Sequence, residues 1–196
     1  MVCMNNTLPA CPLVVCDANV FYSVVLTDVL LSLAVAGLFR PCWTEQIHDE
    51  WMRNLQHNRP ELEWAKIQRR REFMDIAIED CLITDYDELI PTLKLPDVND
   101  RHVLAAALQA KASLILTFNL RDFPASILSA YHITAMHPDE FLTGLFEDQP
   151  EAVFEALEQM RERKTRPALS REELWQKIVN QNLPQFMSRL KTSLQE

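Results

Sequence analysis

Glycine is nearly missing: Gly37 and Gly144 are the only two in 196 residues. Neither a GxGxxG turn nor a Walker-type phosphate loop can be assembled, which excludes the common nucleotide-binding sites of α/β proteins. Cysteine is present but unpatterned. Cys3, Cys11, Cys16, Cys42 and Cys81 are an odd set without a CxxC pair, so no disulfide framework or zinc site is expected, and reduced thiols fit a cytoplasmic protein. No apolar run reaches the roughly 18–20 residues of a membrane helix. The longest candidate, residues 20–39, is interrupted by Tyr22, Ser23, Thr27, Asp28 and Ser32, so no membrane association is expected. The apolar stretch 10–16 has no basic residue before it and reads as a first strand rather than a signal peptide. Positive charge is also in deficit. A formal net charge of −9 argues against a protein that coats nucleic acid by bulk attraction, but not against one that holds it through metal ions and a local basic patch.

What is present describes a globular chain. Hydrophobic residues make up 48% and both charge signs occur, with enough length for one sizeable core plus an appendage. A strand is expected at 13–16, then a helix over 20–39 stopped by Gly37. Residues 40–43 read as a connection, Thr44 as an N-cap, and the helix after it ends at Asn58-Arg59-Pro60. A second amphipathic helix spans 61–78, a short strand 81–84, and a loop or single turn 86–95. An Ala-rich helix follows to about Lys111, then a buried strand at 114–116. A short helix at 124–130, a last strand at 131–135 and a helix at 139–146 complete this part. Strands alternating with helices predict a three-layer α/β/α fold around a central parallel sheet. From 149 onward only helices are expected, at about 151–164, 170–179 and 184–194, with a Ser170–Glu173 capping box. The expected division is therefore residues 1–148 as the α/β domain and 149–196 as a helical extension, whose apolar faces must rest on the main domain, a second copy or a partner.

Acids collect where such a sheet places its sites. Asp17 ends the first strand and Asn19 follows it. Asp97 and Asp100 stand at the start of the Ala-rich helix, while Thr117, Asn119 and Asp122 follow the strand at 114–116. Helix starts and strand ends share one edge of a parallel sheet. Glu50, on a helix whose Ile47 and Trp51 face the core, can lean over that edge. Each acid alone reads more readily as a turn, cap or surface residue than as a catalytic one. Together, four carboxylates need a counter-charge, and an all-oxygen set without a His or Cys pattern suits Mg²⁺ or Mn²⁺. One or two such ions would activate water for phosphodiester hydrolysis.

The segments VVCDANVFY, TEQIHDEW, LPDVNDRHVLAAAL, LILTFNLRDFP and HPDEFL resemble the PIN-domain nucleases. The similarity is greatest to VapC-type toxins of toxin–antitoxin pairs with a helical C-terminal region, and it covers nearly the whole chain. The resemblance implies a parallel sheet between helices and metal-dependent endoribonuclease cleavage of structured RNA such as tRNA or rRNA. It also implies 3′-hydroxyl and 5′-phosphate products, silencing by a cognate antitoxin, and a homodimer. It puts the acidic quartet on Asp17, Glu50, Asp100 and Asp122, with Asp97, Asn19, Thr117 and Asn119 as auxiliary positions. Asp97 is ranked below Asp100, as a cap or supporting residue. One departure stands out: an Arg is expected before the acid of the first helix, where this chain has Thr27-Asp28.

Other residues are ambiguous. His102 reads as an exposed first-turn residue or a substrate contact. Two basic clusters, Lys66, Arg69, Arg70 and Arg71, and Arg161, Arg163, Lys164 and Arg166, read either as RNA-backbone contacts or as helix faces paired with nearby Glu. Trp175 reads as core or partner contact. The competing functional reading is a PIN scaffold kept as a protein-binding module.

Overall fold

Four short parallel strands form the centre of the molecule in the order β2-β1-β3-β4. The computed structural model describes residues 11–165 and 167–193; Cys3, Arg166 and Leu194 lie outside them. Strand β1 is Leu13–Cys16, β2 Arg40–Cys42, β3 Leu114–Leu116 and β4 Thr134–Met136. The helices are α1 Val24–Val35, α2 Glu45–Asn58, α3 Trp64–Ala77, α4 Arg101–Gln109, α5 Ala125–Leu128, α6 Pro138–Asp148, α7 Pro150–Arg163, α8 Arg171–Val179 and α9 Pro184–Ser193. The expected α/β fold, a central parallel sheet between helices with a helical C-terminal region, is what the chain adopts.

The central pair, β1 and β3, consists of leucine and β-branched residues plus Cys16, all buried except the partly buried Leu13, as strands covered on both faces require. Chain direction across the sheet reverses between them: β1 leads to β2 on one side, and β3 leads to β4 on the other. Their carboxyl ends therefore form the crevice where an open α/β sheet binds its ligands.

Several boundaries differ from expectation, each for a local reason. Residues 40–42, read as a connection because of Pro41, form the strand β2 in register with Leu13, Val14 and Val15. Arg40 donates to Pro12 O at 2.8 Å, so the next residue's nitrogen faces away from β1, and a proline there costs no ladder bond. The strand expected at 81–84 is reduced to one parallel bridge, Trp43 with Leu82. The helix expected over 20–39 is split. A 3₁₀ turn, Ala18–Phe21, precedes α1, which starts at the Ser23 cap, and Gly37 at φ 79° closes the connection. The last strand starts later than expected because His132, at φ 57°, ends the 3₁₀ turn Ser129–Tyr131 before it.

Helix α3 is less amphipathic than its sequence suggests. It buries only Ile67 and Met74 and leaves Trp64, Phe73 and Ile76 exposed. Polar contacts hold it instead. Arg70 donates to Ser23 O at 3.2 Å, to Thr27 Oγ1 at 2.6 Å and to Phe21 O, and its guanidinium lies 4.8 Å from the Trp51 ring. A guanidinium from α3 thus reaches Thr27, the position where the resemblance leads one to expect an Arg on α1.

The C-terminal helices bury their apolar faces on the rest of the chain. Helix α7 packs on α1 and α9 on α6, with Leu157, Met160, Trp175, Ile178, Phe186 and Leu190 buried. Phe154 meets Trp175 at 5.9 Å and Phe146 meets Phe186 at 6.3 Å. The expected Ser170–Glu173 capping box is formed. One buried carboxylate ties the two parts: Asp139, 3% exposed, accepts from the backbone N–H of Gln185 at 3.1 Å and of Phe186 at 2.9 Å, capping α9.

Candidate metal centre

Asp17 sits where β1 stops. Its N–H continues the ladder to Leu116 O at 3.0 Å, and its carboxylate, 4% exposed, is fixed by three donors. Oδ1 accepts from Ala18 N at 2.7 Å. Oδ2 accepts from the Thr117 hydroxyl at 2.7 Å and from the Asn19 amide. Asn19 Nδ2 also donates to Thr117 Oγ1 at 2.9 Å, and Asn19 Oδ1 accepts from Phe118 N at 3.0 Å. Asp17, Asn19 and Thr117 thus lace the ends of β1 and β3 together.

The two acids at the start of α4 separate by geometry. Asp97 accepts from Asn99 N at 2.8 Å and caps the 3₁₀ turn Val98–Asp100. Asp100 occupies the N-cap position of α4, yet its side chain makes no capping bond. A carboxylate at a helix start that leaves the free N–H groups alone remains available to something else. Asp122 ends the 3₁₀ turn Leu120–Asp122 and is held by the Asn119 side-chain amide.

These residues converge. One carboxylate oxygen each from Asp97, Asp100 and Asp122 lies within 4.8 Å of the others, all three half-buried. Asp97 therefore caps its turn and also faces the other acids, so it stands closer to the site than its lower ranking in the sequence suggests. Asp17 and Glu50 lie outside that 4.8 Å group but are near enough to act on it by charge. Burial, then repulsion from Asp17, Asp97, Asp122 and Glu50, pushes the Asp100 carboxyl up to about 7. Burial, with repulsion from Glu50, raises Asp17 to about 6 against the lowering effect of the Thr117 hydroxyl, Ala18 N–H and His102. Carboxyls held up by one another are relieved by a cation among them. The donor set is all oxygen and partly solvated. These residues fit a hard divalent cation such as Mg²⁺ or Mn²⁺.

His102 is buried, with 2% of its side chain exposed, not an exposed first-turn residue. Its Nε2 lies 3.4 Å from Glu50 Oε2. The signal for this burial lies in the following residues: Val103 to Ala107 are apolar around the whole helix and all buried, and a helix surrounded by protein buries its first turn too. A second histidine stiffens the helix that carries Glu50. His48 Nδ1 accepts from Trp51 Nε1 at 2.9 Å and its Nε2 faces Asp75 Oδ1 at 2.9 Å. Trp43 Nε1 donates to the same Asp75 oxygen at 2.9 Å. Burial holds His48 below its ordinary pKa despite Asp75, and because Nδ1 accepts from Trp51 it is Nε2 that carries the proton toward Asp75.

The basic clusters are engaged within the chain. Lys66 pairs with Glu63 at 2.9 Å, Arg71 with Glu45 and with Asp75, and Arg69 covers the Phe73 ring. Arg161 pairs with Glu158 at 3.1 Å, Arg163 donates to Ser32 Oγ at 2.8 Å and Lys164 pairs with Asp28. Trp175 is core, 5% exposed. The cysteines Cys11, Cys16, Cys42 and Cys81 are free thiols. No helix among the described residues is long and apolar enough to cross a membrane.

Comparison with known proteins matches two families to successive parts of the chain. The family described as "PIN domain" matches residues 13–121, and the family described as "VapC50 C-terminal domain" matches residues 138–192. A Mycobacterium tuberculosis protein named "Putative ribonuclease VapC50" is 44% identical over 71 residues, 35% of this chain and 41% of that protein's own length. No solved structure matches the chain.

Proposed function

The chain belongs to the PIN-domain family, and from that premise we propose that it is a metal-dependent endoribonuclease of the VapC type. In this reading it cleaves structured RNA, tRNA or rRNA, is neutralised by a cognate antitoxin, and works in the cytoplasm as a homodimer. Residues 1–148 would form the nuclease domain and 149–196 its helical extension. The VapC50 likeness covers 41% of that protein, so the activity rests on the site rather than on the relative's name.

One observation carries the proposal: the carboxyls of Asp97, Asp100 and Asp122 converge at the switch point of the sheet, and burial and mutual repulsion hold Asp100 near 7. A protein with no use for these groups gains nothing from keeping them together, which weighs against a bare binding module. Asp17, Glu50, Asp100 and Asp122, with Asp97 beside them, would hold one or two Mg²⁺ or Mn²⁺ ions. Such ions supply Lewis-acid activation of water and neutralise charge developing on the phosphate. The chain's own residues prepare the site. Thr117 and Asn19 donate to one oxygen of Asp17 and fix its rotamer. Asn119 orients Asp122. Asp100 keeps its carboxylate free of its own helix. Metal contacts to phosphate also explain how a chain of net charge −9 engages a polyanion without a broad basic face.

The test is incubation of structured RNA with the full chain and Mg²⁺ or Mn²⁺. Fragments ending in 3′-hydroxyl and 5′-phosphate are expected, lost with Asp17→Asn, with Asp100→Asn and in excess chelator. Equal cleavage by wild type and both variants would overturn the proposal.

A further inference from the structure

His102 is the buried ionisable group closest to the acids that the chemistry above leaves unused. It lies on the first turn of α4, two residues beyond Asp100, with its Nε2 3.4 Å from Glu50 Oε2. Its Nδ1 is buried without a hydrogen-bond partner. An ionised carboxylate only accepts, so the group the ring can offer it is an N–H on Nε2.

Glu50 needs such a partner. Its side chain is 37% exposed, it has three rotatable bonds, and both Asp17 and Asp100 are raised by its charge. Repulsion alone would swing the carboxylate out to water, where it is better solvated and further from the other acids. Among the described residues, His102 is the ion-pair partner within 4 Å of the Glu50 carboxylate. Unlike Glu50, it cannot move aside, being packed on a helix buried from Val103 through Ala107.

We infer that His102 is a positioning residue: its Nε2–H holds Glu50 turned inward, so that the acids present a preformed set of oxygens to a divalent cation. The inference rests on the nuclease reading, because it gives Glu50's orientation a purpose. His102 acts through Glu50 and touches neither substrate nor cation.

The experiment is calorimetric titration of the full chain with Mn²⁺. His102→Leu keeps the bulk but removes the donor, and binding should weaken about 10–100-fold, as for loss of other groups that orient a metal ligand. His102→Gln carries an amide N–H about as far out as Nε2 and should restore most of the affinity. His102→Asn is polar but too short to reach Glu50 and should not. On a Glu50→Gln background the His102 substitutions should have little further effect, because the interaction they remove is already gone. A purely structural role gives the opposite ranking, with buried Gln worse than Leu and the loss undiminished on Glu50→Gln. Wild-type affinity in His102→Leu and His102→Asn, or the structural ranking, overturns this inference alone. A wild-type chain that takes up no Mn²⁺ overturns the nuclease reading with it.

Discussion

The Thr117 hydroxyl donates to Oδ2 of Asp17 at 2.7 Å, joining two residues 100 positions apart at the ends of adjacent strands. The same hydroxyl oxygen accepts from Asn19 Nδ2 and Asn119 N, so one small side chain sets the rotamer of Asp17 and the start of the turn that carries Asp122.

Thr117→Val keeps the shape and removes those bonds. Leaving buried polar groups unpaired costs about 1–3 kcal/mol each, so chemical denaturation should show a loss of that order. The hydroxyl also lowers the Asp17 pKa. Without it the midpoint of Mn²⁺ binding against pH should move upward. An unchanged midpoint would mean that Thr117 serves the fold alone.

The metal-free chain should lose stability as pH rises. Asp17 and Asp100 are pushed up to about 6 and about 7 in the folded state, above the unfolded values of about 4. Between those limits the folded state binds more protons than the unfolded one, so the two groups destabilise progressively from about pH 4 to about pH 7. Below that window both states are protonated and the effect is absent. Urea midpoints in chelator, compared between wild type and the double variant Asp17→Asn/Asp100→Asn, isolate this contribution. Saturating Mn²⁺ should abolish it.

Asp100→Asn should separate stability from activity. Removing the most strongly repelled carboxylate should raise the melting temperature of the metal-free protein by about 2–4 °C for each kcal/mol gained. Cleavage should fall on the order of 100-fold or more. Calorimetry and an RNA assay on the same preparation check both, and a variant both less stable and inactive would point to simple misfolding.

Asp139→Ala removes the acceptor for two backbone N–H groups at the start of α9. Loss of a cap costs about 0.5–2 kcal/mol, and the first amides of α9 should exchange with solvent faster while those of β1 and β3 do not. Hydrogen exchange resolved by residue measures this directly. Equal acceleration everywhere would show that the extension unfolds together with the sheet.

Local chemistry made much of this protein readable from its sequence. The buried strands β1 and β3, the Thr44 cap, the Ser170–Glu173 capping box and the run of acids after strands and before α4 all depend on neighbours a few residues away. The fold class follows from their order. Tertiary structure decided the remainder, because it depends on what lies across space. Pro41 joins the sheet only because its nitrogen faces away from β1 at the sheet edge. The sequence ranks Asp97 as a cap below Asp100, and only the fold shows that Asp97 both caps its turn and faces Asp100 and Asp122. His102 is polar by type and buried by position, since α4 is enclosed on every side. The raised pKa values of Asp17 and Asp100 belong to neither residue alone: burial and Coulomb repulsion depend on distance in three dimensions, and only folding brings those carboxylates close.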